Sequence, residues 1–418
     1  MDIENQKGII HLWNLPRTII YVDLELSFKQ FILNYCKRFA HTWVNLGKQI
    51  GLKISKNSKC KVLEGIREGK KIRLDILFLL IDYLSKNNIQ IILEDLEKKV
   101  TKISLQKGSS KKFANSIINP KLPFNFKTIS GATLVSALLH DGGINSNLIP
   151  HYSNTNIELR KKIFEAFVTV FGEIIGNNSN PETNQQIYFP KVSGIILVNC
   201  LGMKKGRKTE NNVSVPSFIF DCTKEIKANF LQQAFDDEGY VGQNIGMKLA
   251  VHYNFTAETI HEIKKSNIEK YAPNLLLGNI NLIREFGIEV QGPFCREIYT
   301  TKDGKIGAKW TIVISCKENI KNFRDCIGFF SQFHREKLEQ LVANLKDIYS
   351  PRKTRQIMLK ACENLQEVHG HITSRNLAKE IGRSQVRAKQ LIRLFQKEGL
   401  LKVEEYRKGC IGAKYILG

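Results

Sequence analysis

The sequence predicts an α+β protein, with a duplicated central unit of helices and strands lying between two basic ends. Two helical segments near the centre end alike, Leu134 to Gly142 and Leu231 to Gly239, with the carboxylates before their last glycines 97 positions apart. Each is followed by strands, a helix closing in Phe-Gly, a further strand, and a helix closing in Cys-hydrophobic-Gly. Charge divides the chain in the same way: residues 1–120 hold 21 basic and 11 acidic side chains, 121–350 hold 27 and 23, and 351–418 hold 15 and 6, for a net +23 over 418 residues.

Such an excess of cations points to a polyanionic partner and away from a neutral metabolic enzyme. A hydrophobic content of 42% fills real cores, which excludes a disordered basic chain, and the length fits two to four domains. No apolar run reaches the roughly 18 residues of a membrane helix, and Asp2 and Glu4 break the basic-then-apolar order of a signal peptide. The expectation is a cytoplasmic, DNA-associated protein with no membrane partner. Nine scattered cysteines without a Cys-x-x-Cys pair read as reduced thiols, not as a disulfide framework or zinc site.

Residues 1–118 read as a helical domain. Trp43 to Gly51 and Val62 to Gly69 make two helices around the polar stretch Lys53 to Lys61, and an apolar helix comes next over Leu74 to Leu84. The arrangement loosely resembles repressor-type helix-turn-helix modules, and an ordinary helical domain fits the residues equally. Asn119-Pro120-Lys121-Leu122-Pro123 then reads as an extended linker.

The centre divides into halves at 119–220 and 221–349. Each motif helix has bulky apolar residues at positions one and five, a small residue at four, and a carboxylate before glycine, the pattern of a helix closing in a left-handed turn. Leu159 to Gly172 and Asn279 to Gly287 supply the next helices, with strands over Ile187 to Lys191 and Trp310 to Cys316. Around the second strand, Lys309, Thr311, Val313, Ser315 and Lys317 alternate with Trp310, Ile312, Ile314 and Cys316, an open face against a buried one.

Further elements stand in order: Lys205-Gly206-Arg207-Lys208 and Val215 to Ile219 between the copies, then Asn319 to Phe323 and Ile327-Gly328-Phe329. With these, residues 119–347 resemble the LAGLIDADG, or dodecapeptide (DOD-type), homing endonucleases. The resemblance implies a pseudo-symmetric monomer of two αββαββα halves, its motif helices packed at the centre and its sheets forming a saddle over double-stranded DNA. It implies that Asp141 and Glu238, the last acids of the motifs, are catalytic and bind Mg²⁺ or Mn²⁺, for which carboxylate oxygens are hard ligands. It also implies a lysine beside each metal, Lys191 in the first half and Lys309 or Lys317 in the second. His140 is expected to be a solvated or DNA-contacting neighbour, and Asp236 and Asp237 to be flanking acids without a catalytic assignment. Ser136 fits the small third position of the motif. Gln233 departs from it, and so either bonds Ser136 across the helix pair or loosens the interface.

Residues 350–418 begin at Ser350-Pro351, ahead of the basic run Arg352, Lys353, Arg355. A helix over Arg375 to Ile381, a turn at Gly382-Arg383 and a helix from the Ser384 cap to Glu398 come next, with Val386, Leu391, Leu394 and Phe395 on the apolar face. Two short strands, Gly399 to Val403 and Ala413 to Leu417, complete a module that resembles the winged-helix family. That resemblance implies a second helix in the major groove, with Arg383, Arg387, Lys389, Arg393 and Lys397 as DNA-binding residues.

The function expected from these readings is site-specific double-strand DNA cleavage by a metal-dependent endonuclease. The alternatives are a transcriptional regulator that keeps the scaffold without cutting, and an RNA-splicing maturase. The chain starts at Met1, ends Ile416-Leu417-Gly418, and lacks the terminal nucleophile and His-Asn pair of an intein, so a free-standing protein is expected.

Overall fold

The computed structural model describes residues 8–55, 59–106, 116–175, 177–242, 246–255, 271–301, 304–345, 351–405 and 413–418. The chain forms two compact units, one of residues 1–314 with 322–343, the other of 315–321 with 344–418. Among the described residues no helix is long and apolar enough to cross a membrane, and the eight cysteines of the described residues are free thiols.

The first unit opens with β1 (Ile9–Ile10), β2 (Ile20–Leu24), α1 (Leu26–Ala40), α2 (Trp43–Gln49), α3 (Lys61–Arg67), β3 (Ile72–Arg73), α4 (Leu74–Lys86), α5 (Leu93–Lys98), β4 (Val100–Leu105) and β5 (Ser116–Ile118). This region is not purely helical, because β2 to β5 pair in the order β3-β2-β4-β5. In β2, buried Ile20, Val22 and Leu24 alternate with half-buried Tyr21 and Asp23, and this period of two is what fits a sheet with one covered face. The apolar α4 packs beneath, with Leu74, Leu77, Leu80 and Leu84 fully buried. Of the polar stretch between α2 and α3, residues 56–58 lie outside the described residues.

The same unit continues with β6 (Phe124–Asn125), α6 (Ile129–Leu139), β7 (Gly142–Ile144), β8 (Pro150–Ser153), α7 (Ile157–Phe171), β9 (Gln186–Tyr188), α8 (Lys191–Leu201), α9 (Lys208–Asn211) and α10 (Ser217–Phe220). β1 pairs with β6, and Ile118 bridges Glu173, so the N-terminal region is joined by backbone pairing to the segment that carries α6 and α7. A second run comprises α11 (Lys224–Glu238), β10 (Gly239–Val241), β11 (Met247–Phe255), α12 (Asn274–Arg284), β12 (Gln291–Thr300), β13 (Ile306–Ile314), α13 (Lys317–Cys326) and α14 (Gln332–Asn344). Among the described residues the first run builds a three-stranded sheet, β7-β8-β9, and the second a four-stranded one, β10-β11-β13-β12. Among the described residues, then, the first run shows three strands where an αββαββα repeat has four.

Two local expectations change here. Neither motif glycine ends its helix in a left-handed turn: Gly239 is extended at φ −83° and ψ 152°, and Gly142 opens β7. Both are glycine because a side chain has no room. A Cβ at Gly239 would lie 2.2 Å from the Phe235 carbonyl oxygen, and one at Gly142 would lie 2.6 Å from that of His151. In β13, Thr311 and Val313 are buried along with Trp310 and Ile312. The strand lies between β11 and β12, and Arg296 of β12 reaches across it to Thr311, 3.0 Å from Nε to Oγ1.

The second unit carries α15 (Pro351–His369), α16 (Ser374–Glu380), α17 (Gln385–Lys397), β14 (Leu401–Glu405) and β15 (Lys414–Leu417), with β14 and β15 antiparallel. Its core is built from Met358, Cys362 and Leu365 of α15, Leu377 of α16, and Ala388, Leu391, Ile392 and Phe395 of α17. The buried face of α17 differs from the expected one, since Val386 is 67% exposed and Leu394 49% exposed. The inward residues run through 388, 391, 392 and 395, a steadier helical stripe than one through 386 and 394. The turn between β14 and β15 and the Ser350 boundary lie outside the described residues.

Candidate functional site

The site forms where α6 and α11 end side by side. Thr128 caps α6, its hydroxyl accepting from Gly131 N at 3.0 Å. Gly131, Ala132, Ser136 and Ala137 keep that helix narrow, and Ser136 Oγ donates to the Phe230 carbonyl of α11 at 2.7 Å. Gln233 therefore neither bonds Ser136 nor loosens the pair. It is fully buried, and its amide donates to Asp237 Oδ1 at 2.9 Å and to the Tyr152 hydroxyl oxygen at 3.4 Å.

At the helix ends Asp141 comes close enough to Glu238 for its charge to act there, and Lys208 of α9 acts on both. Burial lifts the Asp141 carboxyl to about 6, opposed by the Lys208 ammonium and by Asn154 Nδ2, which donates to Asp141 Oδ2 at 2.8 Å. Burial lifts Glu238 to about 7, helped by Asp141 and opposed by Lys208 and Lys309. The Lys208 ammonium is lowered by its own burial, while Glu238, Asp141 and Asp237 pull the other way. Asp237 is pushed well above the usual carboxylate range by burial and by Asp141. Its Oδ1 accepts from Tyr152 at 2.6 Å and from Gln233, while Oδ2 is buried with no hydrogen-bond partner among the described residues. An open cleft of about 760 Å³ reaches Asp141 and Asp237, lined also by Asn154, Asn156, Gln186, Asp236 and Phe333, whereas Lys208 and Glu238 line a separate pocket of about 80 Å³ together with His140 and His252.

Of the residues expected from sequence, Asp141, Glu238 and Lys309 come together. Lys309 sits in β13 opposite His252 of β11, and its charge acts on Glu238. Lys191 does not end a strand: Pro190 terminates β9's extension and serves as N-cap, so Lys191 becomes the first residue of α8. The cations acting on Asp141 and Glu238 are Lys208 and Lys309 instead.

His140 is a core residue, 3% exposed, and not a solvated neighbour. Its Nδ1 lies 2.8 Å from the Ser136 carbonyl and carries the proton, while Nε2 accepts from Asn279 Nδ2 at 3.2 Å. Burial holds the ring down to about 3, so it stays neutral. Asp236 is a buried cap, with Oδ2 accepting from Phe330 N at 2.8 Å and Oδ1 from Ser331 N at 3.1 Å, just ahead of α14. In the second unit, Arg387, Lys389, Arg393 and Lys397 are exposed along α17, and Arg383 precedes it, half-buried.

Sequence reasoning missed Lys208, Tyr152 and Asn154 as members of the site. Lys208 had a signal, since it closes the basic run Lys204, Lys205, Arg207, Lys208 within the nearly neutral centre. Tyr152 and Asn154 had none, because pairing of β8 with β7 and β9 brings them there.

No known family model matches the chain. The chain is 26% identical over 214 residues to the tRNA-splicing ligase RtcB of Methanopyrus kandleri, a match covering 51% of this chain and 20% of that protein. It is 25% identical over 155 residues to the tRNA-splicing ligase RtcB of Pyrococcus abyssi, covering 37% and 15%. The chain thus spans a fifth or less of the length of these curated relatives. Both are enzymes named for joining RNA in tRNA splicing. This overturns the resemblance to LAGLIDADG homing endonucleases, and with it DNA cleavage, the scaffold-retaining regulator and the maturase as readings of function. The motif residues have a structural cause that any close helix pair shares: small side chains where α6 meets α11, and glycines where a Cβ would strike backbone.

Proposed function

We propose that the chain is an enzyme of RNA phosphate chemistry, acting in the joining of tRNA-class strands at Asp141, Glu238, Lys208 and Lys309. The observation that carries this reading is a half-buried lysine acting on two carboxyls that burial raises to about 6 and about 7, one of which, Asp141, lines an open cleft. A carboxyl near 7 is matched to taking a proton from an attacking hydroxyl at working pH. In a phosphoryl transfer, Glu238 accepts that proton as the new P–O bond forms, and the proton passes on to the oxygen that leaves. Lys208 and Lys309 hold the phosphate oxygens and balance their charge.

Among the described residues no three His, Cys, Asp or Glu side chains lie close enough to enclose a metal. Mg²⁺ and Mn²⁺ still fit, because such ions are commonly held by one or two carboxylates with water and substrate phosphate completing the shell. Asp141 would hold the ion together with water and substrate phosphate, leaving Glu238 for the proton, and the ion would supply charge stabilisation at the phosphate. The test is to incubate the full chain with labelled tRNA halves bearing each terminal phosphate form, with Mg²⁺, Mn²⁺ or chelator, alongside duplex DNA of equal length. Metal-dependent appearance of the joined strand is expected; unchanged length and end chemistry of every RNA sinks the reading.

The second unit supplies a duplex-binding helix in this proposal. Between Gln385 and Lys397, α17 carries four cations and no carboxylate. Arg387→Ala with Arg393→Ala should flatten log affinity against log salt by about two phosphate contacts, for an RNA hairpin or for double-stranded DNA. An unchanged slope on both would take α17 off the phosphates.

A further inference from the structure

Beside Asp141 and Asp237 the cleft presents one aromatic ring to water, and a second stands close to it in the chain. Phe333 is 59% exposed at the start of α14, Phe330 is 38% exposed just before it, and Phe333 lines the cleft together with Asp141 and Asp237. Each ring already holds a cation: Lys337 Nζ lies 4.0 Å from the Phe333 centroid and Lys162 Nζ 4.4 Å from that of Phe330. The backbone beneath them is pinned, since both carboxylate oxygens of Asp236 accept the amides of Phe330 and Ser331. The same cleft is lined by the amides Asn154, Asn156, Gln185 and Gln186.

Exposed rings, each with one ammonium group against it, a pinned backbone beside them and amides lining the same cleft suit one kind of occupant. We infer that Phe333, with Phe330, Lys162 and Lys337, is a stacking platform for an unpaired RNA base beside the carboxylates. The ring takes the base face, the lysines take the adjoining phosphates, and the amides can bond the base edge. A paired base offers no free face, so the platform selects a single-stranded end over a duplex one. The inference rests on the RNA reading above and specifies the form of RNA the site admits.

The test reads binding alone, in chelator, so that it does not depend on turnover. The full chain is titrated with a short single-stranded RNA carrying 2-aminopurine and with the same strand made abasic at that position. Expected are quenched 2-aminopurine emission, binding of the intact strand weakened about tenfold by Phe333→Ala, little change for the abasic strand, and rescue by Phe333→Trp. Phe333 is exposed, so thermal unfolding of the variant should match the unmodified chain. The inference is overturned if Phe333→Ala binds both strands as the unmodified chain does, or if both strands weaken equally. Failure to join tRNA halves with this stacking intact would sink only the catalytic reading.

Discussion

Asp141→Asn and Glu238→Gln are each expected to slow strand joining by about 10³-fold while leaving RNA binding in chelator within about twofold. Asp141→Asn removes a charged ligand for the ion that would offset phosphate charge, and Glu238→Gln removes the proton acceptor, whose loss costs roughly 10²–10⁴-fold. The two variants should differ in pH dependence. The unmodified chain should gain activity as pH rises through about 7, where Glu238 loses its proton, and Glu238→Gln should lose that limb. Rates measured from pH 5.5 to 8.5 decide it, and a flat profile for the unmodified chain would remove Glu238 as the base.

The second large effect is on stability. Burial raises Asp141 to about 6 and Glu238 to about 7, so the folded state binds more protons than the unfolded one between pH 4 and 7. Stability from these groups is full below their unfolded pKa and is lost as pH rises through 6 and 7. Asp141→Asn with Glu238→Gln should therefore be more stable than the unmodified chain at pH 8 by about 1–2 kcal/mol, a figure discounted for their partial exposure, and equal to it near pH 4. Lys208→Met should act the other way at pH 8, because both carboxylates lose the cation that offsets them. Denaturant unfolding in chelator at pH 4 and pH 8 measures both, and a double variant less stable at pH 8 would contradict the burial account.

What could be read from sequence was what periodicity and local chemistry control. The helices over Trp43, Leu74, Leu159 and Gln385 were legible from apolar spacing, and Asp141 and Glu238 stood out as acids ending two similar segments. The N-terminal sheet was not, because β2 and β4 are short and their partners lie far along the chain. Lys191 was misplaced by one proline, since Pro190 turned a strand end into a helix start. His140 was misjudged because its burial depends on Asn279, 139 residues away. The name given to the pattern failed for a related reason: helix packing alone accounts for the small residues and glycines that carried it.

The end of α11 places three acids in a row, and each meets a different surrounding. Asp236 caps α14, Asp237 accepts from Tyr152 and Gln233, and Glu238 faces the charges of Lys208 and Lys309. Successive residues on a helix point about 100° apart, so the division of labour is fixed by register. Inserting a single residue between Thr223 and Asp236 would advance all three acids by one position, aiming the capping carboxylate of Asp236 at Tyr152 and putting Asp237 in the place of Glu238. Length variation within α11 should therefore abolish the site, however conservative the inserted residue.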